Sequence, residues 1–215
     1  MEQPKQRPRR IYIDDYEVAA RLRQEGVVLS WLIESARQGD FERKSTSHLE
    51  FPGAPAYKAA SKGLEILRMQ SMDEGWSAGM YFGIPVALSN DRSTAIAVTE
   101  GDEYVGIVAE QDPSLKAIKG PNTYRAVDVN RMFEDEPVSF FYLLTYSDSE
   151  GLRAEMSSPR TAEDGRVHAW DERILLGEIG PLGEIGPDAG RRVQAPTAPS
   201  APVVAPTIEV RRKSA

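Results

Sequence analysis

The chain contains no cysteine, so disulfide bonds, thiolate zinc sites and cysteine nucleophiles are excluded. It also lacks any run approaching the ~18 consecutive apolar residues that a transmembrane helix requires. The basic segment from Met1 to Arg10 is not followed by the apolar core of a signal peptide. These absences predict a soluble, cytoplasmic protein with no membrane partner.

Several catalytic motifs are missing as well. The phosphate-binding loop GxxxxGKS/T, the dinucleotide motif GxGxxG, the nucleophile motif GxSxG and the zinc motif HExxH do not occur. The two histidines, His48 and His168, are too far apart in sequence to form a metal-ligand spacing. Motifs therefore assign no reaction, and no cofactor is predicted from them.

Charge is distributed unevenly over a chain of otherwise ordinary globular composition. Residues 1–10 and residues 188–215 each carry a net charge of +3, which leaves −13 for residues 11–187 out of the total of −7. A nucleic-acid-binding domain usually has a basic folded surface, so an acidic body argues against one. The basic ends are interpreted as solubilising tails, with arms that touch phosphate as the alternative.

Three helices are predicted in the first part of the chain. Asp14–Gln24 begins with a capping aspartate. Val27–Gln38 has apolar residues at helical spacing and is followed by Gly39, and Ala56–Asp73 has an apolar face at the same spacing. The polar stretch Phe41–Pro55, between the second and third helices, is predicted to be a loop.

Strands dominate the remainder of the ordered chain. Val138–Tyr146 is the most apolar run and is typical of a central buried strand. Leu152–Ser157 alternates and predicts a half-buried strand, which forms a hairpin with Val138–Tyr146. Ile84–Leu88 contains Pro85 and is expected at a sheet edge. The other expected elements are strand Thr94–Thr99, a short helix within Tyr124–Phe133, and a strand or short helix over Val167–Leu176.

The hexapeptide LGEIGP occurs twice without change, over Leu176–Pro181 and Leu182–Pro187, and is followed by a proline-rich tail. Such a tail is typical of disorder or polyproline II. We therefore expect a basic N-terminus over 1–10, one α+β domain over 11–175 and a disordered tail over 176–215. In that domain, three N-terminal helices pack on a mainly antiparallel sheet of four or five strands.

Acidic residues near strand ends are the best candidates for chemistry. Converging carboxylates with a lysine are how magnesium-dependent nucleases hold metal and water. Glu155, however, is followed by Met156 and Ser157 rather than by the lysine of the usual nuclease strand. The alternative interpretation is that Glu155 is a solvated strand residue or part of a cross-strand ion pair. The catalytic candidates are Asp102, Glu103, Glu155, Glu172 and Lys119.

A set of short motifs lies between residues 75 and 174: Gly75-Trp76, Thr94–Val98, Gly101–Glu103, Lys119-Gly120, Tyr142–Tyr146, Arg153–Ser157, Pro159 and Trp170–Ile174. Together these motifs resemble a group of uncharacterised bacterial proteins associated with plasmids and other mobile or accessory DNA. Where that group tends to have Thr-Gly after an acidic pair, this chain has Tyr104-Val105-Gly106. The resemblance implies a bacterial protein of mobile-element origin and implies no activity.

Three functions are compatible with these observations. The first is an accessory protein that acts through protein–protein contacts, with the tail as a tether. The second is a divergent metal-dependent nuclease or nucleic-acid-processing enzyme that uses magnesium. The third is a DNA-associated protein that binds through its basic terminal arms.

Overall fold

The computed structural model of the chain describes residues 9–117, 123–127, 138–163 and 166–180. Several expectations lie outside these residues: Lys119, most of the helix expected within Tyr124–Phe133, the first eight residues of the basic N-terminus, and the tail beyond Gly180. Within the described ranges, no helix is long and apolar enough to cross a membrane.

The described residues form three longer α-helices, a short helical segment over residues 123–127, one 3-10 turn and seven strands. The helices are α1 (Asp15–Gln24), α2 (Leu29–Ser45) and α3 (Ala54–Ser71), and the 3-10 turn is Met72–Glu74. The strands are β1 (Arg10–Tyr12), β2 (Ser77–Tyr81), β3 (Ile84–Leu88), β4 (Thr94–Glu100), β5 (Ser139–Ser147), β6 (Leu152–Glu163) and β7 (Arg166–Ile179).

The seven described strands form one mixed sheet in the order β1-β7-β6-β5-β4-β3-β2. Two of its pairs are parallel, β1 with β7 and β4 with β5, and the other four are antiparallel. The α+β class is therefore confirmed, whereas the expected number of strands was too small. β5 and β6 lie in the middle of the sheet, which agrees with the apolar character of Val138–Tyr146.

Helices α1 to α3 cover one face of the sheet. Asp14 caps α1 because its Oδ1 accepts a hydrogen bond from the backbone N–H of Tyr16 at 2.9 Å. The core on this face joins side chains of the three helices to every second residue of the strands. Its largest members are Leu22, Trp31, Leu32, Leu67, Trp76, Phe141, Leu143, Met156 and Ile174.

The opposite face is covered by the chain between β4 and β5. We call Gly101–Ala117 the covering loop. Its Val105 and Leu115 are fully buried against a second core that contains Phe140, Tyr142 and Trp170. The central strands are therefore buried on both faces. The half-buried pattern expected for Leu152–Ser157 was wrong, because loop residues shield the polar side of that strand.

Two helix-internal glycines allow α2 and α3 to pack closely. A Cβ atom added at Gly39 would lie 2.8 Å from the carbonyl oxygen of Ala59. Ser35 Oγ donates a hydrogen bond to the carbonyl oxygen of Gly63 at 2.7 Å across the same contact. Gly39 therefore lies inside α2 at an interhelical contact rather than after its end, and the helix continues to Ser45.

Three further boundaries differ from the sequence expectations, and two short strands were not expected. β6 continues past Pro159, which lies at a register shift in its pairing with β7. β7 is a strand that extends to Ile179, past the expected boundary at 175, and Arg10 belongs to β1 rather than to a separate N-terminal segment. β1 is too short, and β2 (SAGMY) too rich in small residues, for either to show a strand pattern.

The turn between β3 and β4 is organised by Asp91. Its Oδ1 accepts hydrogen bonds from Ser89 Oγ at 2.7 Å, from Ser93 Oγ at 2.8 Å and from Ser93 N at 3.0 Å. The bond from Ser89 and then those from Ser93 lower the pKa of Asp91 to about 2. We expect the stabilisation from this turn to be present above the unfolded pKa of about 3.9 and lost as the pH falls through 2.

An NMR titration of the Asp91 side-chain carboxyl resonance would check this expectation. The variant Asp91→Asn should lose this part of the acid dependence of unfolding, since its side chain does not titrate. An Asp91 pKa near 4 in the folded protein would contradict the hydrogen-bonded turn.

Candidate functional site

A buried ion pair joins β6 and β7 on the face that the covering loop protects. The side chains of Glu155 and Arg173 are both 0% exposed. Arg173 Nη2 donates to Glu155 Oε2 at 2.5 Å, and Arg173 Nε donates to Glu155 Oε1 at 3.0 Å. Two parallel bonds between a guanidinium and a carboxylate form the strongest arrangement that this pair offers.

Both oxygens of the Glu155 carboxylate have a second donor. Ser157 Oγ donates to Oε1 at 2.7 Å, and the backbone N–H of Gly106 donates to Oε2 at 2.8 Å. With two hydrogen bonds to each oxygen, the carboxylate has little capacity left for a metal ion or a substrate proton. The arrangement points to a structural role for Glu155.

The guanidinium of Arg173 also binds the covering loop. Nη2 donates to the carbonyl oxygens of Ile107 at 3.0 Å and Tyr104 at 3.3 Å. Nη1 lies 3.4 Å from Asp112 Oδ1, and the same oxygen lies 2.8 Å from Arg9 Nη1. One buried guanidinium therefore connects β7 to three positions of the loop, and the basic side chain of Arg9 is held against the acidic body.

The covering loop is closed by further contacts at its base. Asp102 accepts hydrogen bonds from the backbone N–H groups of Tyr104 at 3.2 Å and Ser114 at 2.9 Å. Trp170 Nε1 donates to the carbonyl oxygen of Pro113 at 2.7 Å. Gly106 has a φ of +75°, and a Cβ atom there would lie 3.0 Å from the Cβ of Arg153. A glycine is therefore required where the loop approaches β6.

Glu172 lies on the other face of the sheet, in contact with α1. Its Oε1 lies 2.5 Å from Arg21 Nε, and its Oε2 accepts from Arg21 Nη2 at 3.0 Å. Arg21 also contacts Glu25 at 2.6 Å. Burial acts to lower the pKa of Arg21, but the hydrogen bonds and charges of Glu172 and Glu25 outweigh it and raise that pKa.

The carboxylates proposed from the sequence are therefore divided between the two faces of the sheet. Asp102 lies in the base of the covering loop, and Glu103 is exposed on it. Glu155 and Glu172 bind different arginines on opposite faces of the sheet. Among the residues that the structure describes, no group of three or more histidine, aspartate or glutamate side chains could hold a metal ion. Lys119 lies outside those residues.

Arg173 and Tyr142 are central to this region, but in the sequence they appear only within the motifs Trp170–Ile174 and Tyr142–Tyr146 and not among the candidate site residues. Tyr142 is 2% exposed, its ring is 4.9 Å from Phe140 and 6.3 Å from Trp170, and burial raises its pKa to about 12. Arg173 could have been recognised as a charged residue on a buried face of a strand. The sequence does not show that the covering loop buries that face of β7, so Arg173 was not identified.

Comparison with known proteins adds no functional assignment. No protein-family model, no curated protein and no solved structure matches the chain.

Proposed function

We propose that the protein is a bacterial accessory protein that acts through protein–protein contacts. The observation that carries this proposal is a set of large apolar side chains exposed where α2 is connected to α3. The exposed fractions are 57% for Phe41, 84% for Leu49, 62% for Phe51 and 69% for Tyr57. We call these four residues the apolar end of the helix pair.

The apolar end has the composition of a protein-binding surface. Phe41 lies in the C-terminal part of α2 and Tyr57 in the first turns of α3, and the chain between these helices carries Leu49 and Phe51. Consecutive helices joined by this short connection place all four residues at one end of the pair. Aromatic side chains are enriched at protein interfaces, where a few of them supply most of the binding energy.

The polar contacts of the candidate site are consistent with the same function. The buried carboxylate of Glu155 is bonded within the fold, and Glu172 is paired with Arg21. Its association with mobile or accessory DNA is proposed from the resemblance of the motifs between residues 75 and 174.

The test is in-cell cross-linking and affinity capture from a bacterial host, with and without nuclease treatment. We expect a defined protein to be captured after nuclease treatment. The triple variant Leu49→Ser, Phe51→Ser, Tyr57→Ser should reduce its recovery at least tenfold, because each lost anchor costs about 1–2 kcal/mol of binding.

The control is the double variant Met69→Ser, Val108→Ser, which removes exposed apolar side chains that are 58% exposed at each position but lie elsewhere. It should retain capture. Equal capture by the wild type and the triple variant, or capture that nuclease treatment abolishes, would contradict the proposal.

A further inference from the structure

β2 forms an open edge of the sheet. It pairs only with β3, and no other strand of the described residues lies on its outer side. Two residues, Phe82 and Gly83, connect β2 to β3 with φ values of +46° and +78°. In a hairpin with such a turn the closing pair is hydrogen-bonded and the pairs alternate. The N–H and C=O groups of Ala78 and Met80 therefore point outward.

This edge has none of the features that usually block strand addition. Natural edges are protected by charged residues, proline or bulges, but β2 has the sequence SAGMY and pairs regularly with β3. Ala78 and Met80 are both exposed. The other edge of the sheet differs, because β1 has only 3 residues and begins with the exposed Arg10. β2 is therefore the edge that can accept a further strand.

The guanidinium of Arg68 lies over this edge strand. Arg68 belongs to α3, and its Nη2 donates to the carbonyl oxygens of Gly79 at 3.1 Å and Val86 at 2.8 Å. Its Nε donates to the same oxygen of Val86 at 3.0 Å. Gly79 is a residue of β2, so the guanidinium reaches the outermost strand. A strand added there would lie ~4.8 Å further out, a distance that a glutamate side chain covers.

Arg68 has no acidic partner among the residues that the structure describes. Seven other half-buried or buried arginines each have a carboxylate within 4.0 Å, as Arg21 has Glu172 and Arg173 has Glu155. The Nη1 group of Arg68 donates no hydrogen bond within those residues. Burial lowers the pKa of Arg68, since no carboxylate offsets the loss of water. The edge therefore combines outward backbone groups with a half-buried charge that lacks a counter-ion.

We propose that β2 is a docking site for an extended segment of a partner protein, which adds to the sheet as a strand and binds Arg68 through one carboxylate side chain. The backbone of the segment pairs with Ala78 and Met80. The side chains of these two residues lie on the helix-covered face, because Ala78 pairs with Ala87 of the core beneath the helices. The carboxylate belongs to a residue of the segment on that same face, where α3 holds Arg68.

The charges around β2 restrict the segment to a single acidic residue. Asp73 and Glu74 are exposed directly before the start of β2, and they would repel a second carboxylate at that end. β2 itself has no charged residue. The next position of the segment on the helix-covered face is apolar, since Met80 is 64% exposed and offers an adaptable apolar contact.

A second copy of this chain fits the edge less well than a different partner. Pairing two β2 strands so that Ala78 lies opposite Met80 would place the two-fold axis at Gly79. The two Arg68 guanidinium groups would then lie on one face close to that axis, where like charges repel. The sequence SAGMY supplies no carboxylate, so both groups would also remain unpaired.

The experiment uses two synthetic peptides with blocked ends, TVTET and TVTQT, as probes. Each is titrated into the full chain, and the amide resonances of Ala78 and Met80 are followed by NMR. Binding of TVTET should shift both resonances with a dissociation constant below about 1 mM. TVTQT should bind about tenfold more weakly, because only the carboxylate forms charge-assisted hydrogen bonds with Arg68.

Four variants separate the two parts of the site. Arg68→Gln should bind the two peptides equally, whereas Arg23→Gln, at an exposed position of α1, should keep the tenfold preference for TVTET. Met80→Pro removes an outward N–H without disturbing the ladder with β3, and it should weaken both peptides at least tenfold. Met80→Ala retains that N–H and should still bind both.

Three results would overturn the proposal. The first is unchanged resonances of Ala78 and Met80 at millimolar TVTET, and the second is equal binding of the two peptides by the wild type. The third is a dimeric mass in light scattering that Met80→Pro abolishes, which would assign the edge to a second copy. β2 is separate from the apolar end of the helix pair, so failure here leaves the proposed function to its own test.

Discussion

Arg173→Met is expected to lower the free energy of unfolding by about 3–5 kcal/mol. Methionine fills much of the volume of the arginine stem, so the main loss is electrostatic. The carboxylate of Glu155, fully buried at 0% exposure, would keep only Ser157 and the N–H of Gly106 as partners. Urea unfolding followed by circular dichroism would measure the change as a shift in the transition midpoint.

The control for this variant is Lys62→Met. Lys62 forms an ion pair with Glu65 at 3.0 Å, but the two side chains are 33% and 55% exposed. Exposed pairs of this kind contribute at most about 1 kcal/mol, so this variant should remain close to the wild type. A loss below about 1 kcal/mol for Arg173→Met would contradict the structural role assigned to the buried pair.

The double variant Glu155→Met, Arg173→Met should be less destabilised than the sum of the two single variants. Removing both charges abolishes the cost of one uncompensated ion, which is the largest part of each single effect. The free energy of unfolding of the double variant should still be lower than that of the wild type. The reason is that the N–H of Gly106 and the carbonyl oxygens of Tyr104 and Ile107 also lose their partners.

Gly39→Ala is expected to destabilise the protein by about 1–2 kcal/mol, although alanine is normally preferred to glycine inside a helix. The new Cβ atom would meet the backbone oxygen of Ala59 at 2.8 Å, and α2 would have to move away from α3. Overpacking of this kind costs ~1–3 kcal/mol, and the better helix propensity of alanine returns only ~0.5–1 kcal/mol.

Two further variants separate the steric effect from helix propensity. Ser61→Ala, at an exposed position of α3, should be neutral or slightly stabilising in thermal unfolding. Gly63→Ala should cost less than Gly39→Ala, because its closest contacts are 3.1 Å to Val98 Cγ1 and 3.2 Å to the oxygen of Ser35. Stabilisation by Gly39→Ala would show that the helices can separate without penalty.

Much of the fold could be predicted because its longer elements have clear local patterns. The three helices and the strands from Ile84 to Ser157 follow from apolar periodicity. Glycine gives a false helix-end signal where its role is to permit a tertiary contact. In the sequence, Gly39 was interpreted as the end of a helix. The structure shows that glycine is needed there because the backbone of Ala59 on α3 approaches closely. No local pattern contains that information.

The candidate site was predictable only in part, for the same reason. Glu155 was considered both as a catalytic group and as a member of a cross-strand ion pair, and the structure gives it the second environment. Its partner Arg173 could not be identified, because the register shift in β6 beside Glu155 and the path of the covering loop depend on contacts distant in sequence. The placement of Glu172 on the opposite face follows from the same register.

The pairing of β1 with β7 has a consequence for the order of events during synthesis. Ile11 pairs with Arg173, and Arg21 in α1 binds Glu172, which lies 151 positions later in the chain. Until β7 leaves the ribosome, α1 lacks these strand partners and part of its apolar face stays in water. Contacts between such distant residues slow folding and lengthen the exposure to aggregation. The nascent chain therefore completes its sheet only when almost the whole domain has been made.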